Sequence, residues 1–398
     1  SAMVLAAVHS IAYWINAVKL DYYTESYSDN YWISGVYAMV VGAAIIFLSN
    51  HRLVRKHYYE IFFVLHIALA IVFVIGMWRH LNPLELAQYI LPFIIIWALE
   101  RLLRVFRMFV VFGGFRKNKA TLYVDEENSD PNDIFIKLDI DNYNKSLFKV
   151  KEGDFGFVYL GLPLFFWQSH PFTIVKIQDS ENFAVLLKVK KGITMNLYKK
   201  FLKQGVKHMD LRVCIEGPYG YSERHFANKH DQLCVITTGT AIAGPLGYLS
   251  HHRASNSHDG ELKPNVLHWG VKSLNVIRAL EKELKSVLLD KKMNIEVHVY
   301  CKNLVIENKI KPKDSETDSC KSSNSDFIST FDGKLNMVQG YMSSKDCVDL
   351  VFSENNSSLI MTCGLMSVSY QVKKQYMENV IKNKTNNHVG FIDESQSW

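Results

Sequence analysis

Residues 62–80, FFVLHIALAIVFVIGMWRH, form an apolar run long enough to cross a bilayer, and His66 and His80 both lie in it. A helix rises about 1.5 Å and turns about 100° per residue. The two rings are therefore roughly 21 Å apart along the axis and within roughly 40° of one face. An ionisable side chain inside a membrane is costly, so it marks a functional position by default. Two readings stand side by side. Both imidazoles could ligate stacked haems, one toward each side of a hydrocarbon layer about 30 Å thick. Alternatively, one ring packs between helices and the other sits at the interface.

The run belongs to a chain of uneven texture. Residues 1–108 are dominated by apolar stretches, whereas the remainder has the mixed composition of a water-soluble protein. The net charge of +6 is concentrated beside the apolar segments, at Arg52, Arg55, Lys56, Arg101, Arg104, Arg107, Arg116, Lys117 and Lys119. Such clusters mark cytoplasmic flanks, and no nucleic-acid partner is needed to explain them. The 6 cysteines show neither CxxC nor zinc-ligand spacing, which suits a reducing compartment.

Four spans are expected in residues 1–108: 3–20 with His9, 31–49, 58–79, and a fourth from Pro83 to Arg101–Arg107. With the basic loops inside, the soluble part faces the cytosol, His66 lies toward the inner side and His80 toward the outer. The chain opens Ser-Ala-Met within an apolar run, so a natural start upstream is expected.

Beyond Gly113–Gly114 the pattern changes to short alternating strands: TLYVD, DIFIKLDI, FGFVYL, FTIVKIQ, FAVLLKVK and LRVCIEG. These predict an antiparallel β-barrel or sandwich over residues 109–225. Over 226–398, apolar strands LCVIT, NVLHWGV, IEVHVYC, LIMTC and HVGFI alternate with helical segments, as in a parallel α/β nucleotide-binding sheet. Residues 302–330, rich in Ser, Lys, Asp and Asn, are expected to be a disordered insertion.

The turn Gly239-Thr240-Ala241-Ile242-Ala243-Gly244-Pro245 follows a strand and opens a helix, a place where backbone N–H groups can approach a pyrophosphate. Cys363-Gly364 closes another strand at the same carboxyl edge. Together with Ser169-His170-Pro171-Phe172-Thr173 and Glu216-Gly217-Pro218-Tyr219-Gly220, this order of motifs resembles the ferric reductase and NADPH oxidase superfamily, the yeast metalloreductases above all. The resemblance covers all of the chain except the insertion.

The resemblance implies a multi-pass haem domain joined to a ferredoxin-reductase-like module. It implies His9, His66 and His80 as ligands of haem b iron, with His9 pairing with His80. FAD would be held by His170, Pro171, Phe172 and Thr173 and, at its pyrophosphate, by Lys188, Gly192 and Thr194. NADPH would be bound by Glu216, Gly217, Pro218, Gly239, Thr240, Gly244, Pro245, Cys363 and Gly364. The terminal Trp398 would stack on the flavin where nicotinamide enters, with Cys363 beside it. Family members usually show Gly-Gly-Ser/Thr-Gly where this chain has Thr238-Gly239-Thr240-Ala241, and an added methyl at Ala241 is expected to crowd the turn. Cys-Gly-Pro is Cys363-Gly364-Leu365 here, and Gly-Arg-Pro is Gly340-Tyr341-Met342, which leaves Lys272 to meet a 2′-phosphate.

The implied activity is electron transfer from cytosolic NADPH through FAD and haem to a ferric or cupric chelate across the membrane. Oxygen as acceptor, giving superoxide, is the first alternative. A non-enzymatic haem or flavin membrane protein is the second. Plasma membrane and endoplasmic reticulum both remain open as its location.

Overall fold

The computed structural model describes the chain apart from residues 1, 52–53, 55–57, 125–132, 162–167, 178–179, 221–222, 253–263, 291, 302–323, 354–356, 383–388 and 395–398. It divides into two compact units, Ser1–Leu103 and Arg104–Trp398.

The first unit is helical: α1 (Ala2–Lys19), α2 (Asn30–Asn50), α3 (Tyr59–Leu81) and most of α4 (Leu91–Phe106). By length and composition, α2 and α3 can cross a membrane, and α1 is apolar but shorter. The fourth span departs from expectation. Residues Asn82–Leu84 and Ala87–Tyr89 form two separate 3-10 turns, and Glu85 between them takes a left-handed φ of 58°. Pro83 cannot donate to a continuing helix, so α4 starts at Leu91 rather than near Pro83. Its 16 residues run without a break into a π-helical turn, Arg107–Val111.

Helices α2 and α3 meet through small side chains. Ser34, Ala38 and Gly42, spaced four apart, are the buried residues of α2. A Cβ placed on Gly76 of α3 would sit 3.4 Å from the Ala38 methyl. Small residues at this spacing let two backbones approach closely where hydrophobicity cannot drive association. Large apolar side chains such as Val40, Phe47, Ile61 and Phe93 point outward, as lipid-facing surfaces require.

The second unit begins with a closed barrel of order β1-β2-β5-β4-β3-β6. Its strands are β1 (Arg116–Tyr123), β2 (Phe135–Ile140), β3 (Phe155–Leu160), β4 (Ser169–Val175), β5 (Phe183–Lys188) and β6 (His208–Tyr219). Every pairing is antiparallel, and all six expected strands are present. Ile136, Leu138, Val158, Val185, Leu187 and Val213 fill the interior. Leu197 and Phe201 of α5 (Ile193–Gln204) join the same core.

A parallel sheet of order β10-β9-β8-β7-β11-β12 follows. It comprises β7 (Gln232–Thr238), β8 (Asn265–Val271), β9 (Ile295–Cys301), β10 (Leu335–Gln339), β11 (Ser358–Cys363) and β12 (Val389–Asp393). The edge strand β10 escaped the sequence reading because its segment, LNMVQ, is mostly exposed and lacks an apolar run. Core residues of α6 (Ala243–His251), α7 (Asn275–Ala279) and α8 (Glu281–Leu288) share a cluster with Leu267, Trp269 and Val297 on one face. On the other face, α10 (Ser344–Ser353) and α11 (Met366–Lys382) pack Val348 and Val372 against Ile236 and Ile360.

Most of the expected insertion, 302–323, lies outside the described residues, but its end is ordered. Helix α9 (Asn324–Ser329) carries Phe327 and Ile328 against the sheet core, and Phe331 is completely buried. Apolar side chains four apart anchor one helical turn, so the described end of this segment, from Asn324, packs on the sheet core.

Candidate functional site

From β7 the chain steps outward through β8 and β9 to β10, then returns to place β11 on the other side of β7. Ligands of open α/β sheets bind beyond the carboxyl ends at such a reversal. Here Gly239 and Gly364 end the two central strands, with φ of 55° and 137°. A Cβ on Gly364 would fall 2.2 Å from Thr238 Oγ1. The Leu365 N–H donates to that oxygen at 3.0 Å, and Trp269 Nε1 donates to the Gly239 carbonyl at 2.9 Å. Thr240 and Ala241 lie in the 3-10 turn Gly239–Ile242 that leads into α6. Among the described residues only Asp21, Glu85 and Asp332 combine a side chain with positive φ. Ala241 is not one of them, so its backbone is unstrained; the position of this turn whose φ favours glycine is Gly239.

The segment His170–Thr173 lies on β4, opposite Phe155–Val158 of β3. Thr173 Cγ2 is 3.6 Å from where a Cβ on Gly244 would sit. The barrel strand and the dinucleotide turn, with Pro245 next in α6, are thus in direct proximity. Lys188 ends β5, with its ammonium 6.0 Å from the Phe135 ring centre. Gly192, at φ 97°, precedes α5. The Thr194 hydroxyl accepts from the Lys190 N–H at 2.9 Å and donates to the Lys190 carbonyl at 3.0 Å. That hydroxyl closes the turn ahead of α5; N-terminal helix amides are groups of the kind that can hold an anion.

Cys363 ends β11, and its thiol donates to the Glu394 carbonyl at 3.3 Å. Burial pushes that thiol up to about 12, so it is a neutral, apolar neighbour rather than a thiolate. The Tyr248 hydroxyl accepts from the Glu223 N–H at 3.0 Å and donates to Glu394 Oε1 at 3.2 Å. Burial raises the Glu394 carboxyl, and this hydrogen bond pulls against the rise. The sequence reading missed both Tyr248 and Glu394, for which a helix-borne tyrosine and a lone terminal acid gave no signal. Trp398 lies outside the described residues.

One expected dinucleotide contact, Glu216, is turned into the barrel. Glu216 is completely buried: its carboxylate accepts from Tyr159 at 2.9 Å and Tyr219 at 2.6 Å, and Arg104 lies 3.4 Å away. It is a structural anchor of the barrel, because its acceptor oxygens are already engaged. Gly217 and Pro218, joined by a cis peptide, continue the same strand. Lys272 follows β8 at the carboxyl edge, where its carbonyl accepts from the Cys301 thiol at 3.4 Å.

In the helical unit, His80 Nδ1 lies 2.9 Å from the Tyr31 carbonyl. A carbonyl only accepts, so Nδ1 carries the proton and Nε2 keeps its lone pair, as a metal ligand needs. His66 Nδ1 is 3.5 Å from Ser49 Oγ. Met3 lies beside Gly42 and Tyr13 beside Trp32, so α1 runs antiparallel to α2. Six residues on from Met3 is His9; six back from Gly42 is Val36, next to the Gly35 on which the His80 ring rests. His9 and His80 therefore share a depth in the bundle, and His66 lies at the Ser49 level, about 21 Å away at helical rise. A shared depth is the requirement for two ligands of one haem that His9 and His80 meet here.

Apolar helices, a closed antiparallel barrel and a parallel α/β sheet with glycine turns at its reversal point make up the architecture. Residues 1–77 match the ferric reductase like transmembrane component family, and residues 118–223 match an FAD-binding domain. Ferric reductase transmembrane component 3 of Saccharomyces cerevisiae is 28% identical over 99% of this chain and 54% of its own length. Component 6 of the same yeast is 32% identical over 74% of this chain and 40% of its own length. A ferredoxin NADP+ reductase from Neisseria gonorrhoeae, 11% identical, aligns with 70% of this chain and 98% of its own at a TM-score of 0.42. The chain is similar to the yeast ferric reductases along most of its length. It spans about half the length of the curated relatives it matches.

Proposed function

We propose that the protein carrying this chain moves electrons from cytosolic NADPH, by way of FAD and haem b, to a ferric or cupric chelate across the plasma or endoplasmic reticulum membrane. The observation that carries the reading is the approach of Thr173 on the barrel strand to Gly244 on the dinucleotide turn, in a chain that also holds apolar helices with spaced histidines.

When bound, FAD supplies the change from two-electron to one-electron chemistry, and haem supplies a one-electron carrier. The chain's own residues hold and orient. The amides of α5 and the charge of Lys188 suit the FAD pyrophosphate. The Thr238–Leu365 hydrogen bond holds the ends of β7 and β11 together beside the nicotinamide crevice, with Thr240 and Pro245 on its rim. Lys272 supplies positive charge for a 2′-phosphate. The neutral Cys363 thiol and the Glu394 carboxyl face the same edge, and Trp398 would cover the flavin there. His9 and His80 would ligate one haem, and His66 would contribute to a second.

The test is made on the full-length protein. Flavin and haem spectra should both be present, NADPH should bleach the flavin and reduce the haem, and ferric-chelate reduction should persist with superoxide dismutase. Complete suppression by dismutase would show oxygen to be the acceptor. A flavin that dithionite reduces and NADPH does not would identify a non-enzymatic protein.

A further inference from the structure

We infer that α2, which bears no histidine, orients the His80 ring for haem through two backbone features, the Tyr31 carbonyl and the missing side chain of Gly35. The inference rests on the haem reading above.

A Cβ on Gly35 would fall 2.7 Å from His80 Nδ1 and 2.8 Å from Cε1. Real Cβ atoms do not approach so closely, so any side chain there displaces the imidazole. At this position α2 meets α3 through the His80 ring. The buried stripe of α2 is Ser34, Ala38 and Gly42, and Gly35 is one residue off it. Glycine is a poorer helix former than alanine, and the room it leaves for His80 accounts for it here. The vacated space lets the ring reach in until Nδ1–H meets the Tyr31 carbonyl at 2.9 Å. The Tyr31 ring lies against the imidazole, centroids 6.2 Å apart at 28°.

The carbonyl fixes the tautomer, and Gly35 fixes the ring plane. Nε2 is thereby the one nitrogen left to coordinate. Partners of this kind behind a metal-bound histidine alter metal affinity by about 10–100-fold. No side chain of α2 need be polar for this, so composition hides the arrangement.

The experiment compares Gly35→Ala with Gly42→Ala in full-length protein. Gly42 is a matched control, since its added Cβ would crowd Phe73 and Met3 at 3.2–3.3 Å with no histidine nearby. Haem per flavin and the low-spin ferric EPR signal are read in both. Gly35→Ala should lose haem at the His80 level, or shift its EPR signal, while keeping flavin content; Gly42→Ala should keep the wild-type spectrum. Unchanged haem and EPR in Gly35→Ala, or equal haem loss in both variants, would overturn the inference.

Should Gly35→Ala fail to accumulate, Tyr31→Leu removes the stacked ring and leaves the carbonyl. It should retain haem, and haem loss there would overturn the role given to the carbonyl. A wild-type protein without haem would overturn the proposed function and this inference together.

Discussion

The backbone N–H of Leu365 donates to the Thr238 hydroxyl at 3.0 Å and so ties the end of β11 to the end of β7. A proline at 365 has no such donor. The departure from Cys-Gly-Pro therefore gains a hydrogen bond at the reversal point of the sheet. Leu365→Pro should remove about 1 kcal/mol of that closure. The expected result is a several-fold rise in the Kd for NADPH with flavin content unchanged, measured by titration of the full-length protein.

Glu394 gives a pH dependence of stability. Burial raises its carboxyl above the ordinary range in the folded state. Its contribution is complete below the unfolded-state value and is lost as pH rises through the folded one. Glu394→Gln keeps an acceptor for Tyr248 without an ionisable group. Thermal melting across pH should show the wild type losing stability, relative to this variant, as pH rises out of the acid range. Parallel curves would remove Glu394 from the account.

Lys137 and Glu283 form a buried pair at 2.7 Å between β2 and α8. Burial alone would pull the Lys137 ammonium down, but Glu283 overrides it and holds Lys137 above its ordinary value. Lys137→Met leaves Glu283 buried and uncompensated, at a cost of about 3–5 kcal/mol. Adding Glu283→Leu should recover most of that loss, because two apolar side chains need no partner. Denaturant unfolding of the single and double variants checks both statements.

Glu216→Gln separates the anchor described above from a cofactor contact. The amide offers one acceptor oxygen to Tyr159 and Tyr219 in place of two, and it is neutral beside Arg104. The barrel should lose about 1–3 kcal/mol, while the KM for NADPH stays at its wild-type value. A raised KM at unchanged stability would restore Glu216 to the dinucleotide site.

Much of the fold was legible because its signals are local. All six barrel strands and five of the six parallel strands follow from alternation and apolar runs a few residues long. The edge strand β10 was not legible, since only Leu335 and Met337 of its five residues pack on the core. The fourth span was drawn too early because apolar content continues across Asn82–Tyr89, and only the backbone reveals the turns there. Gly239 and Gly364 could be singled out as turn glycines from sequence. That Ala241 sits in unstrained backbone could not.

The sequence by itself determined the order of the parts: apolar helices with histidines, an antiparallel barrel, then a parallel sheet with glycine turns at one edge. Residue period and turn chemistry act over a few positions, so they survive in the linear text. Tertiary structure alone decided that Glu216 turns inward to Tyr159 and Tyr219, that Tyr248 reaches Glu394 across 146 positions, and that Gly35 lies under His80. Each depends on which elements pack together and at what register. A hydrogen bond or a missing methyl acts over a few ångströms in space, and neighbours at that range are set by the packing of distant segments rather than by adjacency in the chain.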